Sequence, residues 1–76
     1  MSLEALLREA LQLSEDRVIQ DEDGPGIIPE WDSLAHVNII TALETEYNLV
    51  IEMDDIIAIE SVKDIKALLE RNKIAA

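Results

Sequence analysis

The sequence predicts an all-α bundle of three main helices and one short helix, with a long loop after the first helix. Apolar residues recur every three or four positions in the segments 3–13, 33–47 and 61–72, which is the spacing of a helix with one buried face. An apolar content of 49% is enough for a core, and the absence of cysteine excludes a disulfide framework. We expect the 76 residues to form one domain, 1–76, that is too small to enclose a deep catalytic cavity.

The first helix is predicted to begin after Ser2, whose hydroxyl can cap it, and to end near Leu13. Most residues of this segment are strong helix formers, and the polar run that starts at Ser14 marks its end. Five residues form the apolar side of this helix: Leu3, Leu6, Leu7, Ala10 and Leu11.

Residues 14–31 form a long connection that contains Gly24-Pro25-Gly26 and Pro29. Loops of this length without secondary structure are uncommon in compact domains and are usually functional or disordered. Four apolar residues are available to hold the segment against the helices: Val18, Ile19, Ile27 and Ile28. We therefore expect an ordered loop that crosses one face of the bundle.

The second helix is predicted from Ser33 to Tyr47, with Asp32 as its N-cap. With a rotation of about 100° per residue around the helix axis, five residues share one face, which we expect to be the core face: His36, Ile39, Ile40, Leu43 and Tyr47. A second stripe consists of Ser33, Leu34, Val37, Thr41 and Glu44. Two apolar residues thus flank an exposed hydroxyl, which favours a docking surface; the alternative is that Leu34 and Val37 pack under the long loop.

The remaining segment is predicted to hold one short helix and one main helix. The β-branched run 48–51 has no partner strand, so we expect a connection in which Leu49 and Ile51 are buried. Asp54 or Asp55 is expected to cap the short helix, which would extend through Ile59. The last helix is predicted to start with a capping box of Ser61 and Asp64 and to end at about Asn72. Its inward residues are Val62, Ile65, Leu68 and Leu69.

The formal net charge of −11, from 17 acidic and 6 basic residues, argues against a nucleic-acid partner. It favours protein partners with basic docking surfaces, although acidity that only keeps a small protein soluble is the commoner explanation. No apolar run has the roughly 20 residues that span a bilayer, and no signal peptide opens the chain. We expect a cytoplasmic monomer.

A hydrolase is the first chemistry that Ser33 suggests, because His36 lies three residues later on the same helix face. Nucleophilic catalysis also needs a group that orients the base, an oxyanion hole and a pocket. The glycines that flank a nucleophile-elbow serine are absent, and a lone histidine on an apolar face is usually a packed residue. We therefore predict that the protein is not an enzyme.

The acidic run 21–26 resembles the start of a calcium-binding loop, with Asp21 and Asp23 at positions one and three and glycine at six. Proline occupies positions five and nine, where an oxygen ligand is required, and the segment before the loop is not helical. We expect no dedicated metal site.

Ser33 is better suited to accept a phosphate-bearing group. A phosphodiester on a serine of the first helical turn lies beside free backbone N–H groups and the positive end of the helix dipole. The alternative is that Ser33 is an ordinary residue at the start of a helix.

Asp32-Ser33-Leu34, followed by a helix that ends Ala42-Leu43-Glu44-Thr45-Glu46-Tyr47, resembles the acyl carrier proteins and the related peptidyl carrier domains. The similarity extends from about Leu3 to Leu69 and implies a four-helix carrier fold. It also implies that a phosphopantetheinyl transferase attaches 4′-phosphopantetheine from coenzyme A to Ser33, which would make the chain a phosphoprotein. The thiol of this arm would carry acyl or aminoacyl groups as thioesters, and Asp32 would assist the metal of the transferase.

The resemblance further implies that Leu34, Val37, Thr41 and Glu44 dock partner enzymes, namely a loading ligase or synthetase and downstream synthases. The chain departs from carriers of fatty acid biosynthesis at five positions: Trp31, Ala35, Asn38, Thr41 and Thr45. These departures favour a dedicated pathway, such as polyketide or nonribosomal peptide biosynthesis or a cell-envelope modification, over housekeeping fatty acid synthesis. The alternative function is an acidic helical interaction module that is never modified.

Overall fold

A computed structural model describes residues 1–74, so the last two residues of the predicted domain 1–76 lie outside the described residues. The chain folds into α1 (Leu3–Leu11), α2 (Ser33–Tyr47), α3 (Met53–Ala58) and α4 (Val62–Arg71). No strand occurs in residues 1–74, and the predicted all-α bundle of three main helices and one short helix is confirmed. In the same part of the chain no helix combines the length and hydrophobicity needed to cross a membrane.

The first helix is capped as predicted, because the Ser2 hydroxyl accepts a hydrogen bond from the N–H of Ala5 at 3.1 Å. It ends at Leu11 rather than near Leu13. Gln12 adopts the left-handed conformation (φ 57°), and its N–H bonds back to the carbonyls of Arg8 and Glu9, which closes the last turn early. Of its predicted apolar face, all residues but the half-buried Ala10 are buried.

The core lies between α1, α2 and α4, with contributions from the loops. Its buried side chains are Leu3, Leu6, Leu7, Leu11, Ile28, Trp31, Ala35, Ile39, Ile40, Leu43, Ile51, Ile59, Val62, Ile65, Leu68 and Leu69. The expected burial of Ile51 and of the four inward residues of α4 is thus confirmed, whereas Leu49 is only half-buried.

The bounds and the Asp32 cap of α2 agree with the sequence prediction, but its buried face is rotated from the predicted one. Ala35 is buried, whereas His36 and Tyr47 are only half-buried. α1 packs against α2, and the buried residues of α2 are Ala35, Ile39, Ile40 and Leu43. Ala35 therefore belongs to the core and not to the docking surface.

The long loop is ordered, but two of its four predicted apolar anchors are wrong. Val18 and Ile27 are 71% and 59% exposed, and only Ile28 is fully buried, with Ile19 packed partly against the core. Backbone bonds hold the loop instead, since the carbonyls of residues 21 and 23 accept from the N–H groups of Lys63 (2.9 Å) and Val62 (2.8 Å). These N–H groups open α4 and have no partner within the helix.

Side chains and a glycine complete this attachment of the loop to α4. Lys66 forms an ion pair with Asp21 at 2.7 Å. Gly24 is buried against the turn before α4, where an added Cβ would collide with the carbonyl oxygen of Glu60 and lie 3.1 Å from Cα of Ser61. Only glycine fits this contact between two backbones.

The caps predicted for the short helix are wrong. The helix α3 begins at Met53 with Glu52 as N-cap, makes no side-chain capping bond and ends at Ala58. Asp54 and Asp55 lie within its first turn, where the helix dipole stabilises their charges, and Asp55 also pairs with Arg71 at 3.0 Å.

The start of α4 is capped as predicted, since the Ser61 hydroxyl accepts from the N–H of Asp64 at 3.4 Å. The reciprocal bond reaches one residue further back than in the standard box, because the Asp64 carboxylate accepts from the N–H of Glu60 at 2.9 Å. The helix ends at Arg71, one residue before the predicted end.

Candidate functional site

Ser33 lies in the first turn of α2 with its side chain exposed. Asp32 has an extended backbone, and its Oδ1 accepts from the N–H of Ala35 at 2.8 Å, while its carbonyl accepts from the N–H of His36 at 2.9 Å. The N–H groups of Ser33 and Leu34 make no hydrogen bond within residues 1–74. Two donors and the positive end of the helix dipole are therefore available beside the hydroxyl.

The predicted docking stripe on α2 is exposed where it is apolar. Leu34 and Val37 are 71% and 57% exposed and Thr41 is exposed, so the two apolar residues do not pack under the loop. Glu44 differs, because it is half-buried and its Oε2 accepts from the N–H of Ile51 at 2.9 Å. Its carboxylate already holds the connection that follows α2.

The short helix α3 adds exposed apolar residues that sequence reasoning did not assign. Met53 is 67% exposed and Ile57 is 71% exposed, and no residue of α3 is fully buried. The available signal was the apolar content of a helix too short to bury all its sides.

Trp31 and His36, neither of which received a role beyond packing, form one hydrogen-bonded unit. Trp31 is 2% exposed, and its indole Nε1–H donates to Nδ1 of His36 at 2.9 Å. Because an indole nitrogen only donates, Nδ1 must be unprotonated, and Nε2–H of His36 then donates to the carbonyl of Ile56 at 2.9 Å. We call this unit the Trp31–His36–Ile56 bridge. Both ring nitrogens are engaged, so His36 does not act as a base towards Ser33.

A groove of about 480 Å³ opens beside Ser33, between the start of α2, the end of the long loop and α3. Its lining is mostly apolar, with polar groups at the α2 end: Pro25, Trp31, Asp32, Ser33, His36, Ile56, Ile57 and Ile59. The attachment candidate, the bridge and an exposed residue of α3 therefore share one surface depression.

The acidic loop is engaged within the fold. Asp21 pairs with Lys66, and this hydrogen bond raises the pKa of the lysine. Asp23 caps its own turn through Oδ2, which accepts from the N–H of Gln20 at 2.8 Å. Residues 1–74 contain no group of three or more metal-binding side chains placed to hold an ion.

Comparison with solved structures gives acyl carrier proteins among the structural neighbours. A candidate acyl carrier protein of Mycobacterium tuberculosis superposes with a TM-score of 0.80 and 26% identity, over 91% of this chain and 90% of that one. The solution structure of a holo acyl carrier protein from Geobacter metallireducens superposes with a TM-score of 0.79 and 26% identity, over 91% and 82% of the two chains. No family model and no curated protein sequence matches the chain.

These neighbours are carriers rather than enzymes, and each superposes on nine tenths of this chain. The resemblance predicted from Asp32-Ser33-Leu34 and the helix that follows is confirmed by them, and so is the expectation of a non-enzyme. The fold and these similarities support the placement of this chain among the acyl carrier proteins.

Proposed function

We propose that this chain carries acyl or aminoacyl groups as thioesters on a 4′-phosphopantetheine arm attached to Ser33. The observation that carries the proposal is the exposed Ser33 hydroxyl beside two unpaired N–H groups and an apolar groove. The chain has no cysteine, so the thiol of a thioester carrier must come from an attached group. One structural neighbour is a holo acyl carrier protein, a form that holds its prosthetic group.

The start of α2 suits the phosphodiester of such an arm. Its negative charge would lie near the N–H groups of Ser33 and Leu34 and the positive end of the helix dipole. Asp32 uses Oδ1 for the cap, and Oδ2 makes no hydrogen bond within residues 1–74. This second oxygen is free to assist the metal ion of a phosphopantetheinyl transferase.

Partner enzymes would dock on the apolar residues beside the arm. Leu34, Val37 and Thr41 are exposed on α2, and Met53 and Ile57 are exposed on α3. The net charge of −11 favours partners with a basic rim around an apolar patch, such as the transferase, a loading ligase or synthetase and downstream synthases. Glu44 would contribute charge at the edge of this surface while it keeps its bond to Ile51.

A dedicated pathway remains our proposal over housekeeping fatty acid synthesis. The outward side of α2 carries the uncharged residues Asn38, Thr41 and Thr45, all of them exposed. A partner of this helix therefore meets fewer charges than the net charge of the chain suggests. Ala35 is buried, so a partner does not meet it. The cytoplasmic location expected from the sequence stays a prediction.

The test is incubation of the purified protein with coenzyme A and a promiscuous phosphopantetheinyl transferase, followed by mass spectrometry of the intact chain. We expect the mass of one phosphopantetheine group to be added to the unaltered chain and to a Ser14→Ala control, whose substitution removes an exposed loop serine. Ser33→Ala should stay unlabelled and fold normally. An unmodified mass, with a known carrier labelled in the same reaction, would refute the proposal.

The unmodified interaction module is the competing function, and the exposed Leu34 and Val37 are compatible with it. It predicts that the chain stays unlabelled and that Ser33→Ala binds partners and supports growth as well as the parent. Loss of pathway product in Ser33→Ala with normal protein levels would exclude this alternative.

A further inference from the structure

Trp31 and His36 lie between the proposed attachment residue and the core, and the carrier role does not by itself use them. Trp31 precedes Ser33 by two residues and is the largest fully buried side chain. Through His36, its indole is connected to the carbonyl of Ile56 by two hydrogen bonds of 2.9 Å. The Trp31–His36–Ile56 bridge therefore joins the long loop, α2 and α3 beside Ser33.

The groove beside Ser33 is closed on its inner side by this bridge. Trp31 and Ile59 line the groove and are 2% and 5% exposed, whereas Ile57 on its outer side is 71% exposed. An alkyl chain that leaves Ser33 towards the core meets the indole and the imidazole first. An alkyl chain that instead lies along α3 contacts the exposed Ile57, where water covers one side of the alkyl chain.

Passage of an apolar chain through the bridge is unfavourable because the bridge is polar and fully paired. Within residues 1–74 no buried side-chain nitrogen or oxygen lacks a hydrogen-bond partner. A methylene chain offers neither a donor nor an acceptor, so it would leave the indole N–H of the buried Trp31 and the carbonyl of the half-buried Ile56 without their partner.

We propose that the Trp31–His36–Ile56 bridge closes the path between α2 and α3, so that the group carried on Ser33 lies in the outer groove and does not enter the core. The inference rests on the proposed function, because it concerns cargo attached at Ser33. Such a groove suits short or polar acyl and aminoacyl groups. A long alkyl chain gains little there, since much of its surface stays in water.

The test uses Ser33→Cys, which introduces a single thiol because the chain has no other cysteine. Methyl or octyl methanethiosulfonate then forms a disulfide with this thiol and releases methanesulfinate, so no transferase is required. We expect the methyl and octyl adducts to melt within about 3 °C of each other. We also expect a phosphine reductant to cleave both disulfides at the same rate.

An alkyl chain that enters the core gives a different result. Burial of the extra methylenes would raise the melting temperature of the octyl adduct by about 10 °C or more, and the shielded disulfide would be reduced more slowly. Either finding in the Ser33→Cys background would overturn the proposal. Failure of transferase labelling in the separate assay would instead refute the proposed function and leave the alkyl result valid.

Opening the bridge in the same background tests its role directly. Ser33→Cys with His36→Ala removes both hydrogen bonds, and we expect the octyl adduct then to melt higher than the methyl adduct by about 5 °C or more. Trp31→Phe is the second variant, since it removes only the donor and keeps an aromatic ring. Equal melting temperatures of the methyl and octyl adducts in both variants would show that the bridge does not exclude the alkyl chain from the core.

Discussion

Gly24→Ala tests how the long loop is held against the rest of the fold. The added methyl group would collide with the carbonyl oxygen of Glu60 and lie 3.0 Å from its carbon and 3.1 Å from Cα of Ser61. All three atoms belong to the backbone, so no flexible side chain can move aside. The loop must retreat from α4 or the turn before α4 must shift.

The expected cost follows from this overpacking. Extra atoms in a packed region typically destabilise a protein by about 1–3 kcal/mol. For a domain of this size, 1 kcal/mol corresponds to a shift of roughly 4–8 °C, so we expect the melting temperature to fall by about 4–24 °C. Retreat of the loop would also break the bonds to the N–H groups of Val62 and Lys63, which should then exchange with deuterium faster.

Gly26→Ala is the matched control, because both glycines flank Pro25 and Gly26 has nothing within 4 Å of an added Cβ. Neither glycine has a positive φ, so alanine reduces the freedom of the unfolded chain similarly at both sites. We expect Gly26→Ala to be neutral or to stabilise by about 0.4–1 kcal/mol. Thermal melts followed by circular dichroism compare the pair. Equal melting temperatures would refute the contact between Gly24 and Glu60.

Variants at three further positions probe the site and the bundle. Asp32→Ala should lower the free energy of unfolding in urea by about 0.5–2 kcal/mol, because the cap is lost. Asp32→Asn keeps the cap and should slow only labelling by the transferase. Labelling of Asp32→Asn at the rate of the unaltered chain would contradict a metal-assisting role. His36→Leu should cost about 1–3 kcal/mol in the same urea assay, because the indole N–H of Trp31 and the carbonyl of Ile56 lose their bonds, and a smaller loss would show that water replaces them. Burial, then the charges of Glu46 and Glu4, raises the pKa of Tyr47 above its ordinary value of 10.0. The stability from the protonated phenol is thus present below about pH 10 and is lost as the pH rises through the folded-state pKa, so Tyr47→Phe should lose less stability between about pH 8 and pH 11 in urea titrations.

The second helix was predictable to the residue because its determinants are local. Asp32 caps the N–H three residues later, and the helical period of apolar residues continues from there to Tyr47. The exposed Ser33 hydroxyl and the apolar residues beside it follow from that start. Local chemistry did not determine which face of α2 the rest of the bundle would cover, which is why the burial of Ala35 was missed.

The errors occur where distant segments decide the outcome. Glu52, Asp54 and Asp55 all lie near the start of α3, and the N-cap is Glu52. Asp55 then lies within the helix, where it pairs with Arg71, sixteen residues away. Val18 and Ile27 stay exposed because backbone carbonyls anchor the loop, and no side-chain pattern reveals such bonds. The Trp31–His36–Ile56 bridge could not be predicted from the sequence either, because it needs the carbonyl of Ile56, twenty residues beyond His36.

The attachment candidate, Ser33, is exposed, yet the two residues that precede it in the sequence hold it in place. Asp32 fixes the first turn of α2, and Trp31 is tied through His36 to α3. A rise of about 1.5 Å per residue places Val37 roughly 6 Å along the helix axis from Ser33. A partner that docks on Val37 would therefore meet the attached group at a nearly constant offset. Any cargo that stays outside the core would then be within reach of that partner without a rearrangement of the bundle.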